Sequence, residues 1–231
     1  MCGRFTLTAD PEQLRQAFPW LNLPAGAAGA QPRYNIAPTQ PVAVVPNDGQ
    51  RQLDYFIWGL VPSWAKEPAM GGGTGSSGRM INARAETLAE KPAFRAAFRR
   101  RRCLILADGF YEWQALPGRK AKTPMYIRLK DSQPFALAGL WESWNAPDGS
   151  NLLSCTIITT QPNALLQPIH NRMPVILEPQ SYDLWLDPGE LPPGQLQPLL
   201  VPYPHQAMTA FPVSTQVNSP ANDSPACILP V

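Results

Sequence analysis

Histidine is nearly missing from this chain: His170 and His205 are the two in 231 residues. Lysine is scarce as well, at five residues against fourteen arginines. The four cysteines (Cys2, Cys103, Cys155 and Cys227) lie far apart with no C-x-x-C pair, a spacing that supports neither a disulfide scaffold nor a zinc site. This usage implies a reducing, cytoplasmic compartment, and a free thiol at Cys2 needs one. No apolar run approaches ~18 residues, so no membrane span is indicated. The first residues lack the charged and apolar regions of a secretory signal. Long helices are disfavoured too, because the 28 prolines are roughly twice the usual share of about 5%.

What is present is an ordinary soluble composition, 44% hydrophobic, long enough for one substantial core or two small ones. The arginine excess suits bidentate contacts to an anion, or reflects a GC-rich genome. Asp10 to Phe18 reads as a helix with Asp10 at the N-cap and Pro11 at N1. Strands are expected at Val42–Val45, Leu53–Leu60, Cys103–Trp113, Met125–Leu129, Phe135–Trp144, Leu152–Thr159 and Met173–Leu177. Helices are expected at Pro92 to Arg101, near Asn163–Leu166 and near Ser181–Trp185, with a loosely held Pro-rich tail at 221–231. The implied fold class is α+β: a single domain with a curved, mostly antiparallel sheet or open β-barrel and peripheral helices. Gly71 to Gly78 lacks the Gly-Lys-Ser/Thr ending of a phosphate loop and reads as a surface loop.

Cys2 follows the initiator methionine. Removal of Met1 leaves an α-amine and a thiol two carbons apart, with ordinary pKa values of about 7.7–8.0 and about 8.5. Such an aminothiol traps aldehydes: the amine forms an imine, and the thiol closes on it to give a five-membered thiazolidine. Any chain can carry cysteine second, so the remaining residues decide.

In Asn82-Ala83-Arg84-Ala85-Glu86, Asn82 and Arg84 point to one side of an extended segment, amide and guanidinium together. The same five residues can equally be a capped helix start with solvated charges. Glu112 lies between Tyr111 and Trp113 at the end of a very apolar run, where desolvation would bring its pKa towards neutrality for acid–base work; an outward surface position is the alternative. His170 precedes a second apolar strand and can move a proton or hydrogen-bond a sugar oxygen. Arg172 suits a phosphate or a local carboxylate, and His205 reads as structural. Arg99 to Arg102 form a basic block at a helix end, read as solvated, and the tryptophans of Trp58 to Trp64 and Trp141 to Trp144 could stack on unpaired bases or be core.

Eight segments in order carry a resemblance. They are Met1-Cys2-Gly3-Arg4-Phe5, Tyr34-Asn35-Ile36-Ala37-Pro38-Thr39, Trp58 to Pro62, Asn82 to Glu86, Arg102-Cys103 through Trp113, Lys122-Thr123-Pro124, Ala138 to Glu142, and His170 to Val175. Over about residues 1–220 the chain resembles the SOS-response-associated peptidase (SRAP) family of abasic-site-processing proteins. The resemblance implies covalent capture of abasic sites in single-stranded DNA through Cys2, with lyase and self-processing peptidase activity, no cofactor or metal, and a monomer that joins the nucleoid when bound to DNA. It further implies catalytic roles for Cys2, Asn82, Glu112 and His170, and DNA contacts from Arg4, Pro38, Trp64, Arg84, Trp113, Thr159 and Arg172. A thiol peptidase using Cys2 and His170, and a non-catalytic single-strand-binding module, are the competing readings.

Overall fold

The sequence Arg102-Cys103-Leu104-Ile105-Leu106-Ala107 is buried at every position, so both faces of this strand must be covered. Cys103, Ile105 and Ala107 face one apolar cluster, while Leu104 and Leu106 face another. The architecture of the computed structural model, which describes residues 2–24, 31–66, 80–118, 120–146 and 148–231, is built around that two-sided strand.

The strands are β1 (Phe5–Leu7), β2 (Arg33–Ile36), β3 (Pro41–Pro46), β4 (Asp54–Trp58), β5 (Asn82–Arg84), β6 (Arg102–Ala107), β7 (Gly109–Gln114), β8 (Thr123–Leu129), β9 (Phe135–Asn145), β10 (Asn151–Thr160), β11 (Met173–Pro174), β12 (Ile176–Leu177) and β13 (Met208–Pro212). Four short α-helices accompany them: α1 (Pro11–Ala17), α2 (Arg95–Arg100), α3 (Tyr182–Trp185) and α4 (Pro193–Leu196). The fold class is α+β, as expected. The barrel, however, is closed rather than open. Strand β3 pairs with β4 and β6, β6 with β9, and β9 with β10, all antiparallel, and β10 returns to β4 in parallel. Closure removes the exposed edges of these five strands.

A second sheet, in the order β13-β8-β7-β1-β2, shares an apolar cluster with the barrel through Phe5, Phe110 and Ile127. The opposite cluster gathers Leu14 and Phe18 of the α1 region, Phe98 of α2 and Trp185 of α3. Asp10 caps α1 as expected, accepting from the Gln13 amide while the Gln13 side chain accepts from the Asp10 amide.

Several expectations are corrected. Cys103–Trp113 is two strands, because the Asp108 carboxylate accepts from Thr6 Oγ1, the Thr8 amide and hydroxyl, and the Ala9 amide. That carboxylate turns the chain from the barrel into the second sheet. Residues 163–166 are hydrogen-bonded turns rather than a helix, and Met173–Leu177 is interrupted at Val175. The expected tail at 221–231 is held in place: Cys227 is buried against Tyr111 and Tyr126, and Asp223 accepts from the amides of Tyr34 and Asn35. The arginine block is solvated only in part: Arg99 and Arg100 are exposed, Arg101 is half-buried and Arg102 is buried. Arg99 and Arg100 pair with Glu190, Arg101 pairs with Glu142, and the buried Arg102 donates to the carbonyls of Trp185, Asp187 and Gly189. Met1 and Gly71 to Gly78 lie outside the described residues.

Candidate active site

Strand register brings the first candidates together. In the β1–β7 pair Phe5 lies opposite Phe110 and Thr6 opposite Gly109. The Tyr111 amide donates to the Arg4 carbonyl at 3.0 Å, so the pairing continues towards the terminus and sets Glu112 across from Gly3, next to Cys2. Strand β5 takes up the edge of β10 from Ile157 to Thr159, just beyond the point where β4 leaves it. This places Asn82 at the same end of the molecule. Its Nδ2 donates to the Cys2 carbonyl at 2.9 Å. Asn82 Oδ1 is buried and without a hydrogen-bond partner among the described residues. An open acceptor beside residue 2 suits an amine or iminium N–H.

Cys2 is fully buried in the cluster that holds Phe5, Trp58 and Ile169. Its Sγ lies 3.8 Å from the Arg4 carbonyl oxygen, a weak donor contact. Burial pushes the thiol well above its ordinary pKa, and the charge of Glu112 adds to the effect. The sulfur is therefore a thiol at neutral pH.

Glu112 is 2% exposed, and burial raises its carboxyl to about 7 against the opposing charge of Lys122. His170 ends the turns that begin at Asn163, whose Oδ1 accepts from the Leu165 and Leu166 amides. The Arg172 amide donates to His170 Nδ1 at 3.1 Å, so in the neutral ring Nε2 carries the proton. That Nε2 lies 3.8 Å from Glu112 Oε2. Burial lowers the His170 pKa, and Lys122 pushes it the same way. A true ion pair would shift both groups oppositely, so the arrangement favours a neutral carboxyl facing a neutral imidazole. Glu112 can give and take a proton near pH 7.

The residues expected to meet DNA divide. Arg84 is exposed on β5, Trp64 is 68% exposed, and Pro38 is half-buried. Trp113 is half-buried and donates from Nε1 to Asn218 Oδ1 at 2.7 Å. Thr159 is buried, its hydroxyl towards the Ala83 carbonyl. Of the two partners open to Arg172, the structure holds the carboxylate: its fork closes on Glu86 at 2.7 and 2.9 Å and reaches the Thr159 carbonyl at 2.6 Å. That contact holds the Glu86 carboxyl below its usual range. Arg4 also turns inward, onto Asn35 and the carbonyls of Val217 and Asn218. His205, read as structural, is exposed.

Sequence reasoning missed Lys122, whose charge acts on both Glu112 and His170, and the buried Asn35. Lys122 stood inside a matching segment, one residue before β8 begins beside β7. That adjacency was the available signal. Among the described residues no cluster of His, Cys, Asp or Glu could hold a metal ion, and no helix is long and apolar enough to cross a membrane.

Residues 1–220 match the family described as SOS response associated peptidase (SRAP). The chain is 48% identical over 230 residues to the abasic site processing protein YoqW of Bacillus subtilis, covering 99% of both proteins. It is 33% identical to the abasic site processing protein HMCES of Xenopus tropicalis, over 99% of this chain and 78% of that protein. A crystal structure of a Bacteroides thetaiotaomicron protein superposes over 100% of both chains with a TM-score of 0.84 at 24% identity, a likeness of fold. A phage-related protein from Bordetella bronchiseptica superposes with a TM-score of 0.69 at 28% identity, over 93% of this chain and 95% of that one. The family match spans the segments that bring Cys2, Asn82, Glu112 and His170 together, and the chain belongs to the SRAP family.

Proposed function

We propose that this protein processes abasic sites in single-stranded DNA by trapping the ring-opened sugar aldehyde on Cys2 once Met1 is removed. The observation that carries the reading is the buried meeting of Asn82 with Cys2, beside the Glu112–His170 pair. The abasic-site-processing names of YoqW and HMCES point to the same substrate.

The α-amine of Cys2 adds to the C1′ aldehyde to give a carbinolamine. The protonated Glu112 delivers a proton to the departing oxygen, water leaves, and an iminium remains, whose N–H proton returns to the Glu112 carboxylate as the imine forms. The Cys2 Sγ–H then adds across the C=N bond, its proton passing to nitrogen, and the thiazolidine closes. Asn82 Oδ1 accepts the N–H of the amine, of the iminium and of the closed thiazolidine. His170, fixed by the Arg172 backbone, donates from Nε2 to the sugar oxygen. The same imine is the intermediate from which a β-elimination would start. Arg84 meets a phosphate, and Trp64, Trp113 and Pro38 line the strand's path, with the buried Thr159 behind them holding Arg172 through its carbonyl.

Peptide-bond cleavage in other proteins needs a thiolate, and a buried thiol of raised pKa is poorly suited to it. The test is incubation with a single-stranded oligonucleotide carrying one abasic site, followed by denaturing electrophoresis. A heat-stable adduct absent from Cys2→Ala is expected. An equal yield from Cys2→Ala would overturn the proposal.

A further inference from the structure

Arg4 is two residues from Cys2, and its side chain does not face solvent as a phosphate ligand would. Nη1 donates to Asn35 Oδ1 at 2.7 Å and to the Val217 carbonyl at 2.7 Å, and Nη2 donates to the Asn218 carbonyl at 3.2 Å. Those carbonyls end the short 3-10 helix Thr215–Asn218. Asn35, fully buried on β2, extends the same grip: its Nδ2 donates to the carbonyls of Val217, Ser219 and Asn222. Asp223 completes it, accepting from the amides of Tyr34 and Asn35 and pairing with Arg33 at 2.6 Å. The C-terminal segment is thereby fastened across β1 and β2. The backbone of Arg4 closes the circuit, since its carbonyl accepts from the Tyr111 amide and meets Cys2 Sγ.

From this geometry we infer that Arg4 is a positioning residue: its guanidinium locks the C-terminal segment onto the strand that presents Cys2, and this clasp sets the place of residue 2. Asn35 at the centre of the clasp is fully buried, and each of its side-chain polar atoms is hydrogen-bonded. A guanidinium satisfied by three acceptors in fixed directions defines one backbone placement, where an apolar contact would allow several. Imine and ring closure need amine, thiol and aldehyde in register, and small misplacements carry large rate penalties. The role in trapping rests on the proposed function, whereas the clasp itself does not.

Two variants, Arg4→Gln and Asn35→Asp, separate the possibilities. The second keeps the acceptor for Arg4 and removes the donors to the segment. The first readout uses no DNA: alkylation of Cys2 by iodoacetamide, followed by peptide mass. Both variants, shown folded by circular dichroism, are expected to expose the buried thiol and raise its alkylation rate by roughly tenfold or more. An unchanged rate in both overturns the clasp, whatever the wild-type protein does with DNA. The second readout is single-turnover adduct formation at saturating oligonucleotide. The maximal rate is expected to fall by roughly tenfold or more. Affinity for the tetrahydrofuran analogue, which has no aldehyde, and its salt dependence are expected to stay at wild-type values in both variants. An intact maximal rate in Arg4→Gln, with weaker affinity and a salt slope smaller by about 0.7, would instead make Arg4 a phosphate ligand and overturn the inference. If wild type forms no adduct, the proposed function fails while the alkylation result still decides the clasp.

Discussion

In the proposed mechanism Glu112 is the residue on which the chemistry turns, and its burial has two consequences of opposite value. A carboxyl raised to about 7 is half protonated at neutral pH, so it can protonate a departing hydroxyl and then retake the proton. The rate of adduct formation should rise with deprotonation of the amine and fall as Glu112 ionises above about pH 7. Glu112→Gln is expected to lower the maximal rate by about 10²-fold or more and to abolish the falling limb, measured by single-turnover kinetics across pH. Lys122→Gln removes a charge that favours the ionised carboxylate, so its falling limb should move to higher pH. The stability consequence follows from the direction of the shift. A carboxyl whose folded pKa is raised adds stability that is complete below its unfolded pKa and is lost as pH rises through the folded value. Glu112→Gln should therefore melt higher than wild type at about pH 9, by on the order of 2–3 kcal/mol, with the advantage gone near about pH 4. A variant more stable at alkaline pH and slower at every pH is the signature of a group held for function.

Among the elements, the join between β6 and β7 decides whether Glu112 meets Cys2. Asp108 makes that join by collecting donors from Thr6, Thr8 and Ala9, and Gly109 follows because a Cβ there would collide with the Tyr126 ring. Asp108→Ala orphans several of these donors at once and should destabilise the fold by on the order of 3 kcal/mol in denaturant melts. The expected element limits show what was legible. The apolar stretches of β3, β8, β9 and β10 stand within two residues of their expected bounds, because burial along most of β3, β9 and β10, and in alternation along β8, leaves a hydrophobic signature in the chain. The break at Asp108 was not readable, since its cause is a set of partners about a hundred residues upstream. The parallel return of β10 to β4 was hidden for the same reason. In the site, residue types and motif order singled out Cys2, Asn82, Glu112 and His170. The inward turns of Arg4 and Arg172 depend on partners far along the chain, and no local pattern marks them. Lys122 lies beside Glu112 only because of the β7–β8 hairpin.

At the scale of the molecule, much of the arginine excess is taken up by contacts within the protein. Six of the fourteen arginines, Arg4, Arg99, Arg100, Arg101, Arg102 and Arg172, are spent on carbonyls, the Asn35 amide oxygen, Glu86, Glu142 and Glu190. Among the described residues Arg84 is exposed on β5, beside Asn82, and is placed to attract a strand. Arg84→Gln should reduce the salt slope of single-strand binding by about 0.7 while leaving the maximal trapping rate near wild type. The central claim, that residue 2 with a free amine captures the aldehyde, is tested most directly by intact-mass measurement of the protein before and after incubation with abasic single-stranded DNA. Loss of Met1, followed by a gain equal to the oligonucleotide minus one water, is the expected result. A mass that does not change, or a gain of equal size in a protein that retains Met1, would contradict it.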